Sequence, residues 1–300
     1  SGKFLYTKEE EQRLYPASTT KILTALVVLE NCQPDEIVTI GEEINLLGYK
    51  GSSAGLTEGE QLTVEDLLKG LMLPSGNDAA NVLATYVSRK LAQDKAMEAE
   101  AGLKYFADLM NKRALEAGAQ NSHFVNAHGL HDESHYTTAL DLAKIASQAM
   151  DNPTFRAIVK TGKYEVELKN KSELGNGEAK VWTNTNKLLD PDSTYYLAKA
   201  TGIKTGFTTP AGYCLVSSAS GNGLELIGVV LNTSSTGRWT DTTKLLTFGL
   251  EEFEKVQILQ AGKEVTQVAI ANASRKDTGE LLVLATTDFS ELLHLSHIPL

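Results

Sequence analysis

The stretch Tyr15-Pro16-Ala17-Ser18-Thr19-Thr20-Lys21, followed by the apolar run Ile22 to Leu29, sets how the rest of the chain is read. Pro16 presets a backbone angle suited to a first helical turn, and Ile22, Leu23, Ala25, Leu26, Val27, Val28 and Leu29 read as buried helix. Ser18 is therefore expected at a helix N-terminus, with Lys21 three residues on and on the same face. A serine hydroxyl is a weak nucleophile at neutral pH unless a neighbour takes its proton, and a lysine does so once burial or nearby positive charge depresses its pKa. First-turn N–H groups and the helix dipole favour negative charge developing beside Ser18. Taken alone, such a pair more often means an N-cap followed by a solvated lysine.

The chain has 300 residues, enough for one large domain with a smaller appendage. Hydrophobic residues at 42% and charged residues at 22% describe an ordinary globular protein. A net charge of −10 argues against nucleic acid or anionic lipid as the main partner. No run of 18 apolar residues offers a membrane span. The chain begins at Ser1 without a methionine, which reads as a processed or trimmed product. Two cysteines, Cys32 and Cys214, are too few for a disulfide framework; both lie in apolar segments and are expected as buried thiols, with a bridge left open.

Along the chain, Lys3 to Tyr6 and Glu36 to Ile40 read as short strands, and Gly48 to Gly59 as a glycine- and serine-rich loop. Thr63 opens a helix that Pro74 ends; Ser75-Gly76-Asn77 forms a turn before a second helix, from Asp78 to about Ala92. Residues 95–150 read as helical around a loop, Gly118 to Tyr136, which carries His123, His128, His131 and His135. Their spacing invites a zinc site, but no cysteine is near and no helical frame sets two histidines on one metal, so none is expected. From Lys163, Tyr164, Val166 and Leu168 alternate with Glu165, Glu167 and Lys169 like a half-exposed strand, expected to form a hairpin with Val181 to Thr183 through a turn at Gly175 to Gly177. Lys204-Thr205-Gly206 precedes two strands, Gly212 to Ala219 and Glu225 to Leu231, and a helix from Thr240 to Phe253. A lysine and a threonine beside a glycine on an edge strand can clamp a carboxylate while the missing side chain admits substrate backbone.

In this order and spacing, Ser18-x-x-Lys21, Ser75-Gly76-Asn77 and Lys204-Thr205-Gly206 resemble the penicillin-recognising serine enzymes. Within them the chain resembles the D-alanyl-D-alanine carboxypeptidases among the low-molecular-mass penicillin-binding proteins. Further matches are Leu73 to Ala79, His128-Gly129-Leu130, Gly202 to Thr208, Ala211-Gly212-Tyr213, and Gly237-Arg238 before Lys244-Leu245-Leu246. The resemblance covers about residues 1–255. It implies an α+β fold, an antiparallel sheet flanked by helices with an inserted all-helical lobe, followed at 256–300 by a partial β-rich C-terminal domain.

By the same resemblance Ser18 is the acylated nucleophile and Lys21 its base. Ser75 and Asn77 relay a proton and position the substrate amide, and Lys204, Thr205 and Gly206 hold the terminal carboxylate. The backbone N–H groups of Ser18 and Phe207 form the oxyanion hole. Family members often show histidine or tyrosine where Phe207 stands, so a side-chain role there is not carried over. The implied substrate is a peptidoglycan stem peptide ending in D-Ala-D-Ala, with β-lactams as covalent inhibitors and no cofactor or metal. The implied location is the bacterial cell envelope outside the cytoplasm, with membrane attachment only through a C-terminal anchor that this chain does not contain. The family usually has another strand ahead of Lys3 to Tyr6, and the chain is read as stopping inside the C-terminal domain. Two alternatives are a class A β-lactamase, for which the Glu-x-x-Leu-Asn loop is lacking between Ser75 and Lys204, and a non-catalytic wall-peptide binder, which would have lost a catalytic residue.

Overall fold

The structure, a computed structural model, describes residues 2–47, 51–170, 180–269 and 280–295. Helix α1 (Lys21–Asn31) is buried from Lys21 through Val28, with its polar residues Lys21 and Thr24 turned inward too. A helix with no polar stripe is a core helix. Each buried Ile, Leu or Val contributes about 1.5–3 kcal/mol, so the other helices gather on it. They are α2 (Val64–Met72), α3 (Asn77–Leu91), α4 (Ala99–Glu116), α5 (Ala139–Asp151) and α6 (Pro153–Lys160), and all feed one apolar core. Their starts are written locally. Thr63 and Asp66 form a reciprocal capping box on α2, Thr138 caps α5, and Asn152 caps α6 ahead of Pro153.

Strands β1 (Ile37–Thr39) and β2 (Gln61–Thr63) pair antiparallel, as do β3 (Lys163–Glu165) and β4 (Val181–Thr183). The main sheet has the order β5 (Ala200–Thr208), β6 (Gly212–Gly221), β7 (Leu224–Thr233), which leaves β5, with Lys204-Thr205-Gly206, at an edge. Ile227, Val229 and Leu231 of β7 face the core. The intervening Gly228 lies under Leu246 and Thr242 of α7 (Gly237–Glu252), so helices cover both faces of the sheet. Further on, β8 (Phe253–Leu259) pairs with β11 (Phe289–His294), and β9 (Glu264–Ala269) with β10 (Glu280–Leu284), both antiparallel. The chain divides into two compact units, Ser1–Ala219 with Leu226–Leu246, and Ser220–Glu225 with Thr247–Leu300. The helical lobe lies between the Ser18 segment and β5, as the sequence implies.

Lys3 to Tyr6 is not a strand. The segment is irregular, and Phe4 and Tyr6 stand 52% and 58% exposed, because among the described residues no strand of a sheet pairs with it. Regular pairing in β3 stops at Glu165 rather than Leu168, although Val166 N–H still donates to Lys180 O at 2.8 Å. The expected turn at Gly175 to Gly177 lies outside the described residues. α6 separates from α5 at Asn152-Pro153, a break the sequence reading did not mark. Cys32 and Cys214 are both free and buried, and burial pushes each thiol up to about 11.

Candidate active site

Ser18 lies in a 3-10 turn, Ala17–Thr20, that leads into α1, not in the first α-helical turn expected for it. The reason is Ala17, whose φ of +49° is a conformation alanine rarely adopts. Two contacts hold the turn. Thr19 Oγ1 donates to Pro16 O at 2.7 Å, and Gly129 packs so closely underneath that a β-carbon there would stand 1.9 Å from Ala17 O. The i, i+3 relation survives, and Lys21 Nζ reaches Ser18 Oγ at 3.0 Å.

Lys21 is fully buried and has two further acceptors, Asn77 Oδ1 at 2.7 Å and the His128 carbonyl at 2.6 Å. Burial, then the charge of Lys204, hold its pKa well below the ordinary lysine value, against a smaller upward pull from Asp78. Nζ donates to the two carbonyls, and the lowered pKa favours the neutral amine, whose lone pair could take the proton of the Ser18 hydroxyl. That is the arrangement of a general base.

The other members of the cluster come from three distant segments. Ser75, at the turn before α3, is buried at φ +68°. Asn77 has its Oδ1 committed to Lys21, so its Nδ2 faces the loop at Gly51, where a β-carbon would stand 2.4 Å from it. Asp78 ties that loop down: Oδ1 accepts from Ala54 N–H (2.8 Å) and Oδ2 from Ser53 Oγ (2.5 Å) and Leu56 N–H (3.0 Å). Gly206 lies against the serine turn, since a β-carbon there would be 3.0 Å from Pro16 O and 3.2 Å from Ser18 N. Edge strand β5 thus runs directly over the backbone of Ser18.

Lys204 is 1% exposed and donates to Thr205 O at 3.2 Å; burial, then the charge of Arg238, lowers its pKa to about 7. Thr205 Oγ1 shares a 2.6 Å hydrogen bond with Thr185 Oγ1. Arg238 lies over the rings of Tyr213 (4.6 Å) and Trp239 (4.4 Å), and its buried Nε has no hydrogen-bond partner among the described residues. Two cations beside each other with so few oxygen partners mark a place for an anion. The Phe207 side chain is 51% exposed and stacks on Tyr213, ring centres 4.4 Å apart. Of the residues expected from the sequence, the structure joins Ser18, Lys21 and Asn77 by hydrogen bonds and sets Gly206 against the serine turn, while Ser75 stands two residues before Asn77. The sequence reading gave no part to Asp78, Thr185, Arg238 or the His128 carbonyl, although Asp78, His128 and Arg238 all lie in segments matched to the family and only Thr185 had no signal.

The histidines serve structure. His135 accepts from Val125 N–H at Nδ1 (3.0 Å), which leaves Nε2 to donate to Thr20 Oγ1 (2.8 Å). His128 Nδ1 accepts from Leu130 N–H (3.1 Å). Burial chiefly depresses both rings, His128 to about 3 and His135 to about 4. His123 donates to Ser134 O, and His131 stands edge-on to Tyr15 at 4.6 Å. Among the described residues no group of three or more His, Cys, Asp or Glu is placed to hold a metal.

A family profile described as D-alanyl-D-alanine carboxypeptidase matches residues 1–235. A D-alanyl-D-alanine carboxypeptidase of Streptomyces sp. (strain K15) is 40% identical over 257 residues, covering 83% of each chain. The D-alanyl-D-alanine carboxypeptidase DacF of Bacillus subtilis is 34% identical over 284 residues, which are 92% of this chain but 66% of the relative. The crystal structure of the Streptomyces K15 DD-transpeptidase superposes with a TM-score of 0.72 at 39% identity, covering 81% of this chain and 90% of that one. D-alanyl-D-alanine carboxypeptidase DacD of Francisella tularensis superposes with a TM-score of 0.74 at 27% identity, covering 97% and 77%.

Proposed function

The chain belongs to the D-alanyl-D-alanine carboxypeptidase family of serine hydrolases, and from that membership we propose that it removes the terminal D-alanine from peptidoglycan stem peptides through an acyl-enzyme on Ser18. Residues 1–255 carry the reaction. The observation that supports this most is the buried, pKa-depressed Lys21, with Nζ 3.0 Å from Ser18 Oγ.

Lys21 takes the Ser18 proton as Oγ attacks the carbonyl carbon of the peptide bond between the two D-alanines. The N–H groups of Ser18 and Phe207 stabilise the oxyanion, which β5 makes geometrically reasonable by running over the serine turn. The proton passes by way of Lys21 and Ser75 to the departing D-alanine nitrogen, the C–N bond breaks, and water later hydrolyses the ester. Asn77 orients both Lys21 and the substrate amide. Lys204 and Thr205 hold the terminal carboxylate, and Arg238 joins them there. A β-lactam carries a like carboxylate and acylates the same serine.

A class A β-lactamase uses a glutamate carboxylate to drive deacylation. Asp78 is the carboxylate whose charge reaches Lys21, and both its oxygens are taken up by the 53–56 loop. The similarity to a DD-transpeptidase leaves an amine as a second acceptor alongside water. The natural setting is the cell envelope outside the cytoplasm; among the described residues no helix is long and apolar enough to cross a membrane.

The test is intact-protein mass after brief exposure to benzylpenicillin. One drug molecule should add, on the peptide containing Ser18, and Ser18→Ala should abolish the addition. A label on another residue, or none, refutes the assignment.

A further inference from the structure

A cavity of about 380 Å³ opens beside the Ser18 turn, not on it, walled by Arg13, Tyr15, Glu133, Tyr136, Ala211 and Asn232. Its position relative to the substrate follows from β5. In the reading above, the terminal carboxylate lies at Lys204 and Thr205 and the scissile carbonyl at Phe207, so the peptide runs along β5 in the opposite sense. Both extended chains advance about 3.3 Å per residue. The residue ahead of the terminal dipeptide therefore reaches the end of β5, where the strand stops at Thr208 and Ala211 N–H turns back to Thr208 O at 3.1 Å. Ala211 is one wall of the cavity. Tyr15, another wall, stands three residues before Ser18, and its carbonyl accepts from Cys214 Sγ of β6 at 3.8 Å.

The walls carry one cation and one anion. The Arg13 guanidinium lies over the Tyr136 ring at 4.8 Å, which fixes its plane and leaves its N–H edge available. Glu133 lines the same space, and among the ion pairs of the described residues none joins it to Arg13. Opposite charges that share a cavity without neutralising each other complement a ligand group carrying both signs. Tyr15 and Tyr136 supply apolar surface for the methylenes that lead to such a group.

We propose that this cavity is the subsite for the residue preceding D-Ala-D-Ala, and that it selects a side chain ending in a free ammonium and a free carboxylate. Glu133 receives the ammonium and Arg13 the carboxylate. This rests on the D,D-peptidase reading, which fixes the direction of the peptide. A side chain ending in an amine alone satisfies Glu133 and leaves Arg13 unused, so it ranks second.

The experiment compares kcat/KM for three N-acylated peptides X-D-Ala-D-Ala, where X is norleucine, lysine, or diaminopimelic acid linked through one of its amino-acid centres. The diaminopimelate peptide should exceed the norleucine peptide by at least about fivefold, the scale of two charge-assisted contacts in a half-open site. Arg13→Gln should bring the diaminopimelate-to-norleucine ratio down to the lysine-to-norleucine ratio, and Arg13→Lys should restore part of it. Glu133→Gln, on the exposed stretch 131–134, should erase the preference for lysine over norleucine, and it decides the matter by itself if Arg13→Gln does not fold. Three peptides cleaved with similar kcat/KM, or variants that lower all three in proportion, would overturn the subsite. Failure of the underlying reading looks different, because then none of the three is cleaved.

Discussion

Replacing Gly129 by alanine tests whether the nucleophile is held in place from below. Gly129 has φ +86°, a conformation that costs an alanine about 1 kcal/mol. The new β-carbon would stand 1.9 Å from Ala17 O, 2.4 Å from Ala17 C and 3.0 Å from Ser18 N. These are backbone atoms, so no rotamer change relieves the contact. The serine turn and the 126–130 loop must separate by about 1 Å, and overpacking of that kind costs a further 1–3 kcal/mol or so. The total, about 2–4 kcal/mol, corresponds to a fall of roughly 4–16 °C in Tm for a domain of this size. The chemical effect is separate and larger. A 1 Å misplacement of a reacting group lowers the rate by about 100-fold, and here it also draws the His128 carbonyl away from Lys21 Nζ. The assay is the second-order rate of acylation by a fluorescent penicillin, followed well below the melting transition, with calorimetric Tm measured alongside. Gly162→Ala is the control, since a β-carbon there meets nothing within 4 Å. If Gly129→Ala acylates within about twofold of the unaltered protein and melts with the control, the serine turn is not positioned by this contact.

Three further outcomes are expected. Amidating the terminal carboxylate of the peptide should lower kcat/KM by about tenfold or more, the scale of a charge-assisted hydrogen bond, and Lys204→Ala should cost the acid as much while adding little to the amide's loss; equal hydrolysis of acid and amide would remove Lys204 as the carboxylate reader. Lys204 in the free protein titrates at about 7 and holds an anion only when protonated, so kcat/KM should decline above about pH 7. Arg238→Leu removes a neighbouring positive charge, so it should move that decline to higher pH while lowering the plateau, and an unmoved limb would argue against the coupling. The folded rings of His128 and His135 titrate at about 3 and about 4 against about 6.5 unfolded, so between those values the unfolded chain binds protons that the folded chain does not. Stability should therefore fall as pH drops below about 6.5, by about 2 kcal/mol per histidine at pH 5, and His135→Gln should flatten the pH dependence of Tm by about half.

Local physics made much of this protein legible in its sequence. The i, i+3 spacing of Ser18 and Lys21 is a property of any helical turn, and it survived although the turn is 3-10 and not α. The start of α2 at Thr63 and the start of α3, within a residue of the expected Asp78, follow from residues within one or two turns of each other. Lys3 to Tyr6 failed for the complementary reason: a strand exists only when an edge elsewhere pairs with it, and no alternation in the segment itself supplies that partner.

What distinguishes Ser18 and Lys21, the proposed nucleophile and base, from an unremarkable pair is long-range. Asn77 Oδ1, 56 residues away, and the His128 carbonyl, 107 residues away, occupy the lysine nitrogen, and the core that closes around α1 strips it of water. A depressed pKa is the free energy of that desolvation and of the neighbouring charge of Lys204, quantities that do not exist until the chain has folded. The same holds for Arg238, whose place beside Lys204 is set by two aromatic rings, and for Gly129 and Gly206, whose missing side chains matter only because distant backbone lies against them. The sequence by itself determined which groups are present and their order along the chain. The tertiary structure decided their distances and their dielectric surroundings, because proximity between remote segments and exclusion of water are properties of packing and not of any single stretch.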